Sequence, residues 1–136
     1  MTNEAVIVEL TNSTGNPRRY TCADGTGITK LSVLTLSDPR TAATVSTTQA
    51  ATGYNCAGIA AMDKVASDGS TSITAYTDGI FELYASGSIT VGCPVKSIGL
   101  NQVMQAVAAD VASGVICGYA LETASDKETI NVRLRV

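Results

Sequence analysis

The stretch Cys56 to Ala61, with the sequence CAGIAA, returns in altered form as ICGYAL at Ile116 to Leu121. The glycines at the centre of the two stretches, Gly58 and Gly118, are 118 − 58 = 60 positions apart. Each stretch is followed by a polar turn and then by a run of alternating apolar residues, which is the pattern of a β-hairpin. The two hairpins therefore predict a fold made of two similar halves.

The turns and second strands of the two hairpins match as well. Ala66-Ser67-Asp68 stands before the alternating run Ile73 to Thr77, and Ala124-Ser125-Asp126 stands before the run Ile130 to Val136. The two copies have no His, Cys pair or carboxylate pair in common. Because strand pattern and turn chemistry are what they share, the repeat indicates architecture and not a duplicated active site.

The last strand gives a direct prediction of which side chains are buried. Successive side chains of a strand point to opposite faces of the sheet. The three apolar residues on one face should therefore be buried, and the three polar residues on the other should face outward. These residues are Ile130, Val132 and Leu134, and Asn131, Arg133 and Arg135, respectively.

Length and composition bound the fold class. The chain has 136 residues, which is the length of one domain. Hydrophobic residues make up 45% of it but aromatic residues only 4%, so the core must be built from small aliphatic side chains. Because strand-like runs dominate, we predict a mainly β, small single domain, sandwich-like or barrel-like, with few short helices. Its two halves should span about residues 20–77 and 80–136.

Two regions depart from the strand pattern. Residues 38–52 begin with Asp38-Pro39 and are rich in Thr, Ala and Ser, which predicts an extended surface loop, with a short helix from Pro39 as the alternative. Residues 102–112 have helical character, although they are short and rich in valine. We therefore expect at most a brief helix in the second half.

Charge excludes some partners. The net charge is −3 and the isoelectric point is about 4.7, which argues against a nucleic-acid partner. No apolar run approaches the length that spans a bilayer, so we expect no membrane partner. The start of the sequence is acidic and does not resemble a secretory signal, so the protein should be made and remain in the cytoplasm of the producing cell.

Candidates for metal binding and catalysis are few. The four cysteines, Cys22, Cys56, Cys93 and Cys117, have no paired spacing and the chain has no His, so we expect buried, reduced thiols and no zinc. Without His there is no imidazole acid or base near neutral pH. Glu9 and Glu82 lie in strand-like runs, where an exposed strand face explains them better than an acid–base pair. We expect no enzyme activity, no metal and no cofactor.

The N-terminal segment is a candidate for binding a partner. Residues 1–17 are interpreted as an arm and linker, and residues 18–136 as the β-rich body. Residues Glu4 to Leu10 have strand-forming composition, but the polar stretch Thr11 to Pro17 separates them from the body. A strand cut off from its own sheet can satisfy its backbone groups at the edge of a partner's sheet. Alternatively, the strand pairs within its own domain.

The candidate binding residues are the apolar side chains of this strand and the two arginines beyond the linker. We expect one face to carry three of the apolar side chains, with Ile7 and Glu9 on the other. The arginines could then meet acidic residues of the partner. The candidates are Val6, Ile7, Val8, Leu10, Arg18 and Arg19.

Several stretches taken together resemble the capsid decoration, or cement, proteins of tailed bacteriophages. The resemblance runs over nearly the whole chain and consists of many soft motifs in a fixed order. The main ones are Asn3-Glu4-Ala5-Val6-Ile7, Leu36-Ser37-Asp38-Pro39-Arg40, Tyr76-Thr77-Asp78-Gly79-Ile80-Phe81-Glu82-Leu83, Ala85-Ser86-Gly87-Ser88-Ile89-Thr90-Val91-Gly92 and Gly118-Tyr119-Ala120-Leu121-Glu122-Thr123-Ala124-Ser125-Asp126. The four cysteines and Pro94 are not part of the pattern.

The resemblance implies a small protein of β-tulip type that binds the outside of an expanded phage capsid and stabilises it. The implied partners are the major capsid protein and further copies of the chain, as a homotrimer at three-fold positions. The implied location is the exterior of the virion, after synthesis in the host cytoplasm. No catalytic motif is implied.

A ligand-binding or glycan-binding β module is the alternative reading. Such sites usually need exposed aromatic platforms, and the chain has five Tyr, one Phe and no Trp. Tyr54, Tyr76, Tyr84 and Tyr119 could serve, although packing explains the tyrosines within strands at least as well.

Overall fold

The computed structural model of the chain describes residues 5–10, 14–44, 55–99 and 101–136. Within these ranges the polypeptide forms eleven β-strands and one short helix. The strands close into two five-stranded barrels, and a further strand lies against the second barrel. The prediction of a mainly β, barrel-like single domain with two repeated halves is confirmed.

The first barrel takes up the first half of the body. Its strands follow the order β2-β4-β3-β5-β6 around the barrel, and β6 closes it by pairing with β2. The strands are β2 Arg18–Thr21, β3 Val33–Ser37, β4 Thr41–Thr44, β5 Cys56–Ala60 and β6 Ser72–Tyr76.

The second barrel repeats this arrangement. Its order is β7-β9-β8-β10-β11, and β7 pairs antiparallel with β11 and parallel with β9, as β2 does with β6 and β4. Helix α1, Ala108–Ser113, lies between the third and fourth of its strands in the chain. The strands are β7 Asp78–Ala85, β8 Pro94–Gly99, β9 Gln102–Gln105, β10 Ile116–Ala120 and β11 Thr129–Arg135.

The two glycine-centred hairpins occupy equivalent places. Gly58 lies opposite Leu34 of the neighbouring strand, and Gly118 lies opposite Val95 in the same way. In the loops that join the two strands of each hairpin, Lys64 forms an isolated bridge with Ile28, and Ala124 forms the corresponding bridge with Ile89. The predicted correspondence of the two hairpins is thus confirmed at the level of strand pairing.

The alternation of apolar and polar residues along the strands determines which side chains form the two cores. In β11 the three apolar side chains predicted to be buried are buried, while Arg133 and Arg135 are exposed and Asn131 is half-buried. In β7, Phe81 and Leu83 are buried in the same cluster. One cluster fills the second barrel, and a smaller cluster, which includes Leu34 and Ile73, fills the first.

The junction between the barrels is packed and hydrogen-bonded. Val33 and Ile59 of the first barrel belong to the apolar cluster of the second barrel. Asn101 is buried at this junction, where its Oδ1 accepts a hydrogen bond from the Val33 backbone N–H at 3.0 Å and its Nδ2 donates to the Leu31 carbonyl at 3.3 Å. The two barrels therefore share side chains and polar contacts across one interface.

The two regions that departed from the strand pattern both contain more strand than expected. The predicted loop at 38–52 includes β4, whose Thr and Ala residues pair antiparallel with β3; residues 45–52 lie outside the described ranges. The predicted helical stretch at 102–112 begins with β9 and turns helical only at Ala108. In both cases pairing with a neighbouring strand outweighs local composition.

Candidate partner-binding surface

Strand β1, Val6–Leu10, has the strand conformation predicted for it but is not separate from the body. It pairs antiparallel with β7, with Val6 opposite Glu82 and Leu10 opposite Gly79. Just before it, Ala5 is buried, and its N–H donates a hydrogen bond to the Leu31 carbonyl at 2.7 Å. The expectation of a strand cut off from its own sheet is therefore wrong, because β7 offers it a free edge. The alternative, pairing within the domain, holds.

One edge of β1 lies open in the described part of the chain. β1 stands at the end of the strand order in its sheet, and within the described residues it pairs with β7 on one side. Val6 and Val8 are 51% and 49% exposed. An edge strand with exposed apolar side chains presents backbone donors and acceptors to an incoming strand.

A β-bulge changes which side chains of β1 face the core. The register shifts between Ile7, opposite Phe81, and Glu9, opposite Ile80, so that Val8 is the extra residue. A bulge places two residues opposite one and breaks the simple alternation. Ile7 and Leu10 consequently both pack against the core, whereas strict alternation placed Leu10 with the valines. The apolar pair that remains outside is Val6 and Val8.

The structure separates the two arginines from this strand. Arg18 and Arg19 are exposed in β2 of the first barrel, opposite Ala75 and Thr74 of β6. The six candidate residues therefore divide between two sheets, four on β1 and two on β2. A single partner would have to contact both barrels to use them together.

The outer face of the second barrel continues the surface of β1. Glu9 lies opposite Ile80, Ile80 opposite Arg133, and Arg133 opposite Tyr119, which makes one row across four strands. A groove of about 280 Å³ runs over this row. Its lining residues are Glu9, Gly79, Ile80, Leu121 and Arg133.

Charge in this groove is mixed and screened by water. Arg133 Nε lies 4.0 Å from Asp78 Oδ1, and both side chains reach solvent. Tyr119 and Leu121 are 42% and 43% exposed. An aromatic ring and a guanidinium group beside aliphatic side chains are enriched in protein–protein contact surfaces.

Sequence reasoning missed the groove, although the signal was present. In the run from Ile80 to Ala85, every second residue is apolar and buried, which leaves Ile80, Glu82 and Tyr84 on the outer face. An isoleucine at such an outward position is the feature that could have indicated a contact surface. Leu121 lies beyond the end of β10 and carries no such pattern.

A second groove, of about 400 Å³, lies at the first barrel. The Arg40 guanidinium stands 5.7 Å from the centre of the Tyr20 ring, a cation–π contact. Burial raises the pKa of Tyr20, and Arg40 and Arg18 oppose that rise. Because Arg40 covers one face of the ring, Tyr20 is a poor platform for a sugar. The lining residues are Tyr20, Leu36, Ser37, Asp38, Arg40 and Asn55.

The other tyrosines give little support to a glycan site. Tyr76 packs against Phe81 with ring centres 6.0 Å apart, and Tyr84 is half-buried. Tyr119 is exposed on the outer row, and Tyr54 lies outside the described residues.

The buried charged groups, Lys64 and Lys96, have structural roles. Lys64 Nζ donates to the Asp24 carbonyl at 2.7 Å and lies 3.3 Å from Asp68 Oδ1. Lys96 Nζ lies 2.9 Å from Asp110 Oδ2, and the same carboxylate accepts the Val107 N–H at the start of α1. Each ammonium group is paired, as buried charges must be.

No catalytic or metal-binding cluster emerges from the described ranges. Glu9 and Glu82 sit opposite different residues of the β1–β7 pair and are not directly paired. No group of three or more His, Cys, Asp or Glu side chains is close enough to hold a metal ion in the described part of the chain. In the same ranges, no helix has the length and apolar character needed to cross a membrane.

The cysteines do not share one environment. Cys22 and Cys117 are buried, as predicted, but Cys56 and Cys93 are only partly buried, so the prediction is wrong for those two. Burial raises the pKa of the Cys22 thiol, although Lys64 opposes that rise. Apolar neighbours in the sequence therefore do not show by themselves which thiols the fold buries.

Comparison with known proteins shows that the fold is similar to that of a solved structure. The chain is similar in structure to the N base of head fiber gp8.5 of bacteriophage phi29, with a TM-score of 0.50 and 14% sequence identity. The similarity covers 87% of this chain and 92% of that one, so the two share their fold over nearly their whole lengths. No protein-family model matches the chain. A search of curated proteins likewise finds no match.

Proposed function

We propose that this chain is a structural protein of a tailed-phage virion. The observation that carries the proposal is the two-barrel fold shared with the base of a phage head fiber over 92% of that base. The sequence resemblance to phage decoration proteins is independent of this comparison and leads to the same class.

Within that class, the finer role that we propose is decoration of the capsid. The protein binds the outer surface of the expanded capsid through the major capsid protein, as a homotrimer at three-fold positions, and stabilises the shell. Binding of this kind depends on apolar and backbone contacts repeated over many copies and needs no catalytic group. The exposed valines and open edge of β1, with the groove beside them, supply such contacts.

Mass spectrometry of purified virions tests the class. We expect the protein in a fixed ratio to the major capsid protein, with a copy number per virion that matches the number of three-fold positions. Its absence from virions that contain every other structural protein would refute the proposal. Light scattering of the purified protein gives the mass of the free assembly, and chemical cross-linking of purified virions, which should give trimers, tests the assembly state on the shell.

Co-sedimentation with expanded capsids that lack the protein tests the surface. Lysines at Val6 and Val8 should weaken capsid binding by at least about tenfold, because two charges must then be desolvated at the contact. The matched control places lysines at Met62 and Val65, which are 48% and 70% exposed on the first barrel. Both double variants should keep the wild-type circular dichroism. An equal loss of capsid binding in both double variants would show that β1 is not part of the contact surface.

A further inference from the structure

Two cysteines of different barrels meet at the junction. Cys56 belongs to β5 of the first barrel and Cys117 to β10 of the second, and these two strands are in contact. Both side chains pack in the apolar cluster of the second barrel, and the Cys56 thiol is the first cause of the raised pKa of the Cys117 thiol. They are far apart in sequence, so the fold alone brings them together.

The packing of β5 explains why Cys56 faces the second barrel. Ala57 and Ala60 of the same strand lie in the core of the first barrel. Cys56 and Ile59, in contrast, pack into the apolar cluster of the second barrel, to which Cys117 also belongs. The thiol pair is thus part of the interface that holds the two halves together.

The two thiols differ in access to solvent. Cys117 is fully buried, whereas Cys56 is partly exposed. The neighbouring Cys56 thiol and burial together raise the pKa of the Cys117 thiol well above its usual value. A dissolved oxidant therefore meets Cys56 first, and Cys117 is positioned to react second.

We propose that Cys56 and Cys117 form an oxidisable pair whose disulfide joins the two barrels after the protein leaves a reducing cytoplasm. The biological setting rests on the proposed function, since a virion protein is made in a reducing compartment and released from it. The chemical capacity of the pair does not depend on that setting.

The reaction needs an oxidant, for which a small organic disulfide is sufficient. The Cys56 thiolate attacks one sulfur of that disulfide, and one half of it leaves as a thiolate. Cys117 then loses its proton, and its sulfur attacks the Cys56 sulfur and releases the second half. Two protein thiols are oxidised to one disulfide, and the reagent disulfide is reduced to two thiols.

The cross-link should stabilise the chain. It would close a loop of 117 − 56 = 61 positions, and cross-linking a loop of this length restricts the unfolded ensemble. The midpoint of thermal unfolding should therefore rise on oxidation by an amount on the order of 10 °C.

Cystamine treatment of the full chain at pH 8, followed by intact mass and peptide mapping, is the test. The expected product has lost two hydrogens and carries a Cys56–Cys117 peptide link. Its unfolding midpoint is higher, and a reducing agent reverses the change. Cys56→Ser and Cys117→Ala should each abolish the link and the rise. Cys93→Ser, at the other partly buried cysteine, should retain both.

The experiment also has outcomes that would contradict the proposal. A lasting cystamine adduct at Cys56, a link that involves Cys22 or Cys93, or oxidation without a rise in the unfolding midpoint would overturn the proposal. Non-reducing electrophoresis of purified virions tests the setting separately. If the protein is present on the virion without the Cys56–Cys117 disulfide, only the proposed biological setting of the oxidation is refuted. If the protein is absent from the virion, the proposed function is refuted, but the result with the purified protein is unaffected.

Discussion

Gly118 in β10 lies so close to Arg133 in β11 that a Cβ on Gly118 would overlap the Arg133 carbonyl oxygen. The equivalent glycine of the first barrel, Gly58, stands in the same relation to the carbonyl oxygen of Tyr76, and its φ of +137° adds a backbone conformation that other residues rarely adopt. In each barrel the two strands of the hairpin can approach at this point because one residue has no side chain.

Alanine at either glycine should therefore destabilise the protein. We expect Gly118→Ala and Gly58→Ala each to lower the free energy of unfolding by about 2–4 kcal/mol, because backbone atoms must move apart in a closed barrel. Urea unfolding followed by circular dichroism measures the change. Gly25→Ala is the control, since a Cβ there meets no atom within 4 Å. Similar stability of all three variants would contradict the close packing of the hairpins.

These glycines also explain why the repeat could be predicted from sequence. Close approach of two strands requires glycine at a fixed place, and burial of one strand face requires alternation, so both leave marks in the amino-acid order. Ile130 and Arg133 fall on the predicted faces of β11 for the same reason. Sequence alone therefore predicted the repeated hairpins and the buried face of β11, because both depend on such local rules.

What the sequence did not predict depends on contacts between distant segments. The bulge at Val8 arises where β1 meets β7, so the strand's own alternation could not reveal that Leu10 faces inward. The pairing of β1 with β7 depends equally on an edge that β9 leaves free along the first part of β7. The contact between Cys56 and Cys117 follows from the way the barrels pack, which no spacing along the chain records.

Asn101 should couple the two barrels through its side chain. Its φ of +52° is a conformation that Asn tolerates better than most residues and that Gly adopts freely. Asn101→Gly therefore removes the hydrogen bonds to Val33 and Leu31 without adding backbone strain. We expect a loss of about 2–3 kcal/mol in the free energy of unfolding, because the buried Val33 N–H loses its partner. Asn101→Ala should cost about 1 kcal/mol more.

Thermal or urea unfolding of both Asn101 variants provides the measurement. If the glycine variant is as stable as wild type, the hydrogen bonds across the junction make no net contribution to the free energy of unfolding. A glycine variant less stable than the alanine variant would contradict the assigned backbone conformation.

Asp68 should make stability depend on pH in the acid range. Hydrogen bonding by the Ser70 backbone N–H, and secondarily by Lys64, lowers the pKa of this carboxyl below its ordinary value of 3.8. A carboxyl with a lowered pKa in the folded state stabilises the fold above its unfolded pKa. That contribution is lost as the pH falls through the folded value.

Unfolding experiments between pH 6 and pH 2.5 check this sign. Asp68→Asn should be less stable than wild type at pH 6, and the difference should shrink as the pH falls below about 4. Asp38→Asn removes an exposed carboxyl from the same barrel and serves as the control. A difference that grows toward low pH would contradict the assigned direction of the shift.

Removal of β1 distinguishes an arm that only binds from a strand that also belongs to the fold. Ala5 is buried, and Ile7 and Leu10 pack against the core of the second barrel, so deletion of residues 2–10 exposes apolar surface and one edge of β7. We expect the truncated protein to keep its β-rich circular dichroism, since both barrels close without β1. It should nevertheless unfold at a midpoint lower by roughly 5–15 °C, because about 2–4 kcal/mol of packing is lost.

An unchanged midpoint would show that β1 contributes only to partner binding. Loss of the folded state would show that β1 is indispensable to the second barrel, and the lysine variants at Val6 and Val8 would then be the remaining way to separate binding from folding.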